Sequence, residues 1–200
     1  MNRDTTATTT RTRRRDALID AAICEIGAAG SLDVTVGQIA RRAGVSPALA
    51  FHYFGDKDRL FLATMRAILA AYGTEILSVL RKTQDPRARV EAIVRASFTA
   101  PHFRPDIKAA WLNFYVRAIT DAAAGRLLTL YHRRLRANLA HGLRPLIGAS
   151  APDAAERLAA LIDGLYLRAA LGRDVGAALD GAWATRHALT ALAHELENRT

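Results

Sequence analysis

Apolar residues recur every three to four positions along nearly the whole chain, and nowhere do they alternate over the length of a strand. Leu18, Ile19, Ala22, Ile23 and Ile26 form the first stripe, which predicts a helix from about Arg11 to Ala29 with Gly30 as its stop. Two short helices follow within Thr35–Lys57, and a long one runs from Gly55-Asp56 to about Lys82. Asp85-Pro86 opens a helix with Val90, Ile93, Val94 and Phe98 on one face, stopping before Pro101. Pro105 opens another, carrying Ile107, Trp111, Phe114, Tyr115 and Ile119. Leu128, Tyr131, Leu135, Leu139 and Leu143 mark the next, which ends near Pro145 and Gly148. A capping box at Ser150–Asp153 opens a helix with Leu158, Leu161, Ile162 and Leu165, closed by Gly172. The last helix, from about Val175 to Glu197, bears Leu179, Trp183, Leu189, Leu192 and Leu196. The pattern predicts an all-α chain of about nine helices. Residues 1–10, polar and Thr-rich, are expected to be disordered, residues 11–56 to form a small N-terminal domain, and residues 57–200 a larger bundle.

The densest set of end signals lies in TVGQIARRAGVSPALAFHYFGDK, Thr35 to Lys57. Thr35 with Gln38 makes a capping box, and Val34 and Ile39 are spaced to close a hydrophobic staple. Gly44 suits a left-handed helix exit, and Ser46 caps a second helix with Pro47 at its first position. Helix, short turn and helix make a helix-turn-helix, whose second helix is of the kind that enters a major groove.

Charge sharpens this picture only slightly. The net charge is +9, but residues 1–60 hold just +2 of it, so the motif rather than the charge argues for DNA. A single cysteine, Cys24, allows no internal disulfide and fits a reducing cytosol. No apolar run is expected to reach the length of a membrane span, and residues 1–15 lack the apolar core of a secretory signal. An enzyme is disfavoured: His194-Glu195-Leu-Glu-Asn198 lacks the second histidine of a zinc-protease motif, and no phosphate loop or nucleophile elbow is present. No cofactor or metal is expected.

The run HYFGDK, with the Gly-Val-Ser turn before it and a long helix after it, resembles the DNA-binding signature of the TetR family of transcriptional regulators. The resemblance implies a three-helix head on a helical effector domain. It also implies a homodimer paired through the last two helices, here Leu158, Ile162, Leu165, Leu189, Leu192 and Leu196. Thr35, Tyr53 and Lys57 would hold phosphates, with His52 on phosphate or sugar, and Ser46, Pro47, Ala48, Leu49 and Phe51 would face the groove. These include no Arg, Gln or Asn, so readout is expected to lean on thymine methyls and DNA shape. Phe51 stands where the family often has tyrosine, and Gly37 where it often has a polar residue. Arg14, in the arm Arg11–Arg15, is placed to meet phosphates or slip into a minor groove.

KAAWLNFY (Lys108–Tyr115) and LIDGLYLRAAL (Leu161–Leu171) add a second resemblance, to the effector domain of choline-sensing repressors of glycine betaine synthesis. It extends in diluted form through HRRLRANL (His132–Leu139). A quaternary ammonium has no N–H to donate, so it calls for aromatic faces and a carboxylate. Trp111 and Tyr115, four apart, and Asp163 and Tyr166, three apart, offer these if their helices meet, with Phe114 beside them and Gly164 leaving room. Asp163 paired with an arginine inside an ordinary aromatic core is the competing reading. The resulting expectation is a cytosolic, nucleoid-associated repressor. It binds a (pseudo)palindromic operator as a dimer, is released by a small effector such as choline, and controls glycine betaine genes. The alternatives are a related repressor of efflux or catabolic genes with another effector, or an architectural DNA-binder with none.

Overall fold

The computed structural model describes residues 3–172 and 179–197, with side chains from Thr10 onward. Among these residues the chain folds into nine α-helices and one 3-10 turn. Helix α1 (Arg3–Ala29) buries Leu18, Ile19, Ala22, Ile23 and Ile26 as expected. It starts at Arg3 rather than Arg11: the Thr-rich segment expected to be disordered contains no Gly or Pro, and each Thr costs a helix well under about 1 kcal/mol.

Helices α2 (Val36–Arg42) and α3 (Pro47–Phe54) complete the head, burying Ile39, Ala40, Ala50 and Phe54. Helix α4 (Lys57–Lys82) is capped by Asp56, whose carboxylate accepts from Arg59 N at 2.7 Å. At about 1.5 Å per residue it is roughly 39 Å long, enough to reach from the head through the body. Its length and composition would allow it to cross a membrane, contrary to the sequence expectation. Its apolar face is spent inside the protein instead: Leu60, Phe61, Met65, Ile68 and Ile76 are buried, and it packs on α1, α5, α6 and α7.

The body continues with α5 (Pro86–Ser97), α6 (Pro105–Thr120), α7 (Ala122–Ile147), α8 (Ala151–Leu171) and α9 (Gly181–Glu197). The α7–α8 pair is the most extensive contact. Where α5 crosses α7, Gly142 allows the approach: a Cβ there would lie 2.7 Å from Val90 Cγ2. One apolar core runs without a break from Leu18 in the head to Leu196 in α9.

Two expected helix starts differ. Ser150 makes no capping bond, because a 3-10 turn (Gly148–Ser150) leads straight into α8 and leaves Ser150 in helical geometry. The expected start of the last helix, Val175, lies outside the described residues. Leu179 precedes α9, which begins at Gly181 behind Asp180, whose carboxylate accepts from Trp183 N at 2.8 Å. Five of the six expected pairing residues turn inward. Leu158, Ile162, Leu165, Leu192 and Leu196 are buried in the chain's own core and Leu189 is half-buried, because the apolar stripes of α8 and α9 face their own bundle.

Candidate functional site

Local chemistry shapes the head. Thr35 Oγ1 accepts from Gln38 N at 3.1 Å while Gln38 Oε1 accepts from Thr35 N at 2.7 Å, closing the capping box reciprocally. Gly44 turns the chain at φ +67°, a conformation costly for any residue with a Cβ. Ser46 Oγ then accepts from Leu49 N at 3.2 Å, starting α3 with Pro47 in its first turn. An Arg42–Glu25 ion pair and Arg15, 5.5 Å above the Phe54 ring, tie the pair to α1.

This packing decides which side chains face outward. Thr35, Ser46, Pro47, Ala48, His52 and Lys57 are exposed, and Phe51 is 49% exposed, high for a phenylalanine. Leu49 and Gly37 are half-buried, and Tyr53 packs its ring against the core with the His52 ring edge-on at 5.9 Å. Arg14 is exposed on α1, so the arm is helical there.

The second site lies inside the body. Ile68 and Tyr72 of α4, Ser97 of α5, His102 of the following loop, Trp111 and Tyr115 of α6, Tyr131 of α7, and Ile162, Asp163 and Tyr166 of α8 line one cavity. Its open volume is about 20 Å³, room for about one water. Around Trp111 the ring centroids of Tyr131, Tyr115 and Tyr166 lie at 4.9, 5.6 and 6.3 Å. Tyr72 lies 6.0 Å from Tyr131.

Asp163 is the carboxylate of this wall. Its Oδ1 accepts from Tyr131 Oη at 3.1 Å and its Oδ2 lies 3.1 Å from His132 Nε2. The partners are therefore a phenol and an imidazole, not the arginine of the competing reading. Burial raises the Tyr72 hydroxyl to about 12, with smaller contributions from Asp163 and Glu75. Burial, and next the Asp163 charge, also push Tyr115 and Tyr131 upward. Tyr166 rises through burial and then Asp106. All four phenols stay neutral near pH 7 and remain hydrogen-bond donors.

Of the five residues expected from sequence, the fold brings Trp111, Tyr115, Asp163 and Tyr166 together. Phe114 is fully buried behind the wall, 5.7 Å from the Trp111 ring, and does not line the cavity. Gly164 gives the cavity no room either: it is not in the lining, and a Cβ on it would meet nothing within 4 Å. Tyr72, Ser97, His102 and Tyr131 were missed. Tyr131 stood in an apolar stripe, immediately before the resembling HRRLRANL run; nothing near the other three in sequence marks them.

Helix α6 joins the two sites. On one side it carries Trp111 and Tyr115. On the other, Arg117 pairs with Asp58 at 2.7 Å, and Asn113 Nδ2 donates to Gly30 O at 3.2 Å. A Cβ on Gly27 of α1 would collide with Asp106, so α1 and α6 are in close contact.

Comparison with known proteins follows this division. Residues 18–64 match the family model for bacterial regulatory proteins, tetR family, and residues 86–197 match that for the C-terminal domain of BetI-type transcriptional repressors. HTH-type transcriptional regulator BetI of Brucella anthropi is 52% identical over 162 residues, 80% of this chain and 84% of that protein. BetI of Rhizobium meliloti is 50% identical over 159 residues, 79% of this chain and 78% of that protein. A transcriptional regulator from Pseudomonas aeruginosa PAO1 superposes with a TM-score of 0.74 at 27% identity, covering 94% of this chain and 92% of its own. One from Saccharomonospora viridis, solved in complex with choline, superposes at 0.77 with 20% identity, covering 90% and 95%; at that identity it speaks for the fold alone.

Proposed function

Because this chain belongs to the TetR family of transcriptional regulators and is a repressor of the BetI type, we propose that choline is its effector and genes of glycine betaine synthesis are its targets. The observation that carries the ligand is Asp163, set into a wall of five aromatic side chains. A quaternary ammonium is held by ring faces and balanced by one carboxylate, and worth about 2 kcal/mol or more when desolvated. The choline bound by the Saccharomonospora viridis protein supports the same chemistry on this fold.

In the proposed DNA-bound state two copies place their heads about 34–36 Å apart on successive major grooves of a (pseudo)palindromic operator, in the cytosol. Thr35, Tyr53, Lys57 and Arg14 hold phosphates. Ser46, Pro47, Ala48, Leu49 and Phe51 meet the groove, and His52 and Gly37 lie alongside. The copies pair through the outward faces of α8 and α9. On α8 that face carries Ala160, Gly164, Leu167 and Leu171, spaced for one side of a helix, with Leu167 and Leu171 exposed.

Choline is larger than the open volume of the cavity, so its entry parts the walls. Two of those wall residues, Ile68 and Tyr72, belong to α4, and two, Trp111 and Tyr115, belong to α6. Both helices pack on α1 of the head, and the Arg117–Asp58 ion pair ties them to each other, so ligand and operator favour different settings of the same levers. A footprint on the DNA beside this chain's own gene tests the reading. Protection is expected to be two-fold symmetric and lost with choline, and to persist with choline in Asp163→Asn. Protection by the parent that choline never alters would contradict the effector assignment.

A further inference from the structure

Resting on the effector-site reading above, we propose that His102, positioned by Glu75, reads a hydroxyl on the ligand. The cavity thus takes a hydroxyalkyl quaternary ammonium over one without a hydroxyl or one ending in a carboxylate. Asp163, with Tyr131 and His132, supplies the charge that meets the cation. His102 supplies a different chemistry. It is only 9% exposed, lines the same cavity, and lies 5.6 Å from the Tyr72 ring.

Its Nε2 stands 2.6 Å from Glu75 Oε2, yet off the line of a hydrogen bond, and it is the one buried side-chain nitrogen or oxygen without a hydrogen-bond partner among the described residues. The neighbouring groups are already engaged. Tyr72 Oη shares a hydrogen bond with Ser97 Oγ at 2.9 Å, Ser97 Oγ donates to Ile93 O, and Tyr166 Oη donates to His102 O at 2.6 Å. Thr99 Oγ1 donates to Glu75 Oε2 at 3.3 Å, which helps hold the carboxylate behind the imidazole.

A buried nitrogen in this condition calls for a partner. A hydroxyl both donates and accepts, so it satisfies Nε2 in either tautomer. A methyl group leaves Nε2 unpaired, and a site built around a hydroxyl rejects the analogue that lacks one. A ligand carboxylate would sit against Glu75 as a like charge. Since Glu75 is on α4, the hydroxyl contact also bears on the helix that carries the head.

Calorimetry on the full chain with choline, tetramethylammonium and glycine betaine tests this. The parent is expected to bind choline about tenfold more tightly than tetramethylammonium, the usual scale for one buried hydrogen bond, and glycine betaine more weakly than either. His102→Phe is expected to bring the affinities for choline and tetramethylammonium within about twofold of each other. Glu75→Gln, which keeps the shape of its side chain, is expected to relax the exclusion of glycine betaine, and serves if His102→Phe does not fold. Equal affinity of the parent for choline and tetramethylammonium, or ratios unchanged in the variants, would overturn the role of His102 while leaving the effector site standing. Binding of none of the three ligands would remove the effector site itself, and this inference with it.

Discussion

In the head, the capping bonds that set the helix ends join residues three apart: Thr35 with Gln38, Ser46 with Leu49, Asp56 with Arg59. In the cavity, they join residues 25 to 64 apart: Tyr72 with Ser97, Tyr131 with Asp163, Tyr166 with His102. The head is a surface whose side chains follow one another along two short helices. The cavity is an interior assembled from five helices and a loop, each giving one to three residues. A surface written into consecutive positions changes by single substitutions without disturbing the body. In the proposed coupling, a cavity that is part of the core binds a ligand only by shifting the core, and that shift is what reaches the head.

The comparison breaks first, and most severely, at Phe114. It is fully buried behind Trp111 and belongs to the core that runs from body to head. Phe114→Ala is expected to cost about 3–5 kcal/mol in urea denaturation. Choline binding is expected to weaken as well, since Trp111 loses its backing. A loss below about 1 kcal/mol would mean that the wall stands without the core behind it.

A smaller effect is expected in the head. Thr35→Ala removes one side of the capping box and is expected to cost about 1 kcal/mol. Choline affinity without DNA should stay unchanged, because the lost bond is local. A drop in that affinity comparable to the loss of stability would show that the two regions are not separable in this way.

The smallest effects sharpen the docking itself. Lys57→Ala is expected to weaken all DNA alike and to lower the slope of log affinity against log salt by roughly one. Tyr53→Phe is expected to cost about 0.5–1.5 kcal/mol of operator binding, the net worth of one hydrogen bond. Parental binding by both variants across a salt series would place the DNA elsewhere on the head.

What could be read from the sequence follows the same division. The caps at Thr35, Ser46, Asp56 and Asp85 were legible because each acts within its own turn, and the all-α architecture followed from helical periodicity. Four of the ten lining residues were legible for the same reason: Trp111 with Tyr115, and Asp163 with Tyr166, are neighbours on their own helices. Tyr72 and His102 were not, since only the packing of α4 and the α5–α6 loop brings them to Trp111. The misassigned pairing residues carry a related lesson. A stripe of leucines at helical spacing shows that a helix has a buried face, and the neighbours α8 and α9 find in their own bundle are what bury Leu158 and Leu192. The Ser150 cap failed because a 3-10 turn, set by Gly148 at φ +58°, took the place of the extended entry a capping side chain needs.

In the proposed mechanism one setting of α4 and α6 serves the operator and another serves the cation, and linkage makes that measurable from either end. Choline affinity should be determined by calorimetry on the free protein and again with saturating operator DNA, beside operator affinity with and without saturating choline. Operator is expected to weaken choline binding by the same factor by which choline weakens operator binding, in the range of about 5 to 150. Choline affinity that operator DNA leaves unchanged would contradict the account, because a cavity that does not sense the DNA cannot release it.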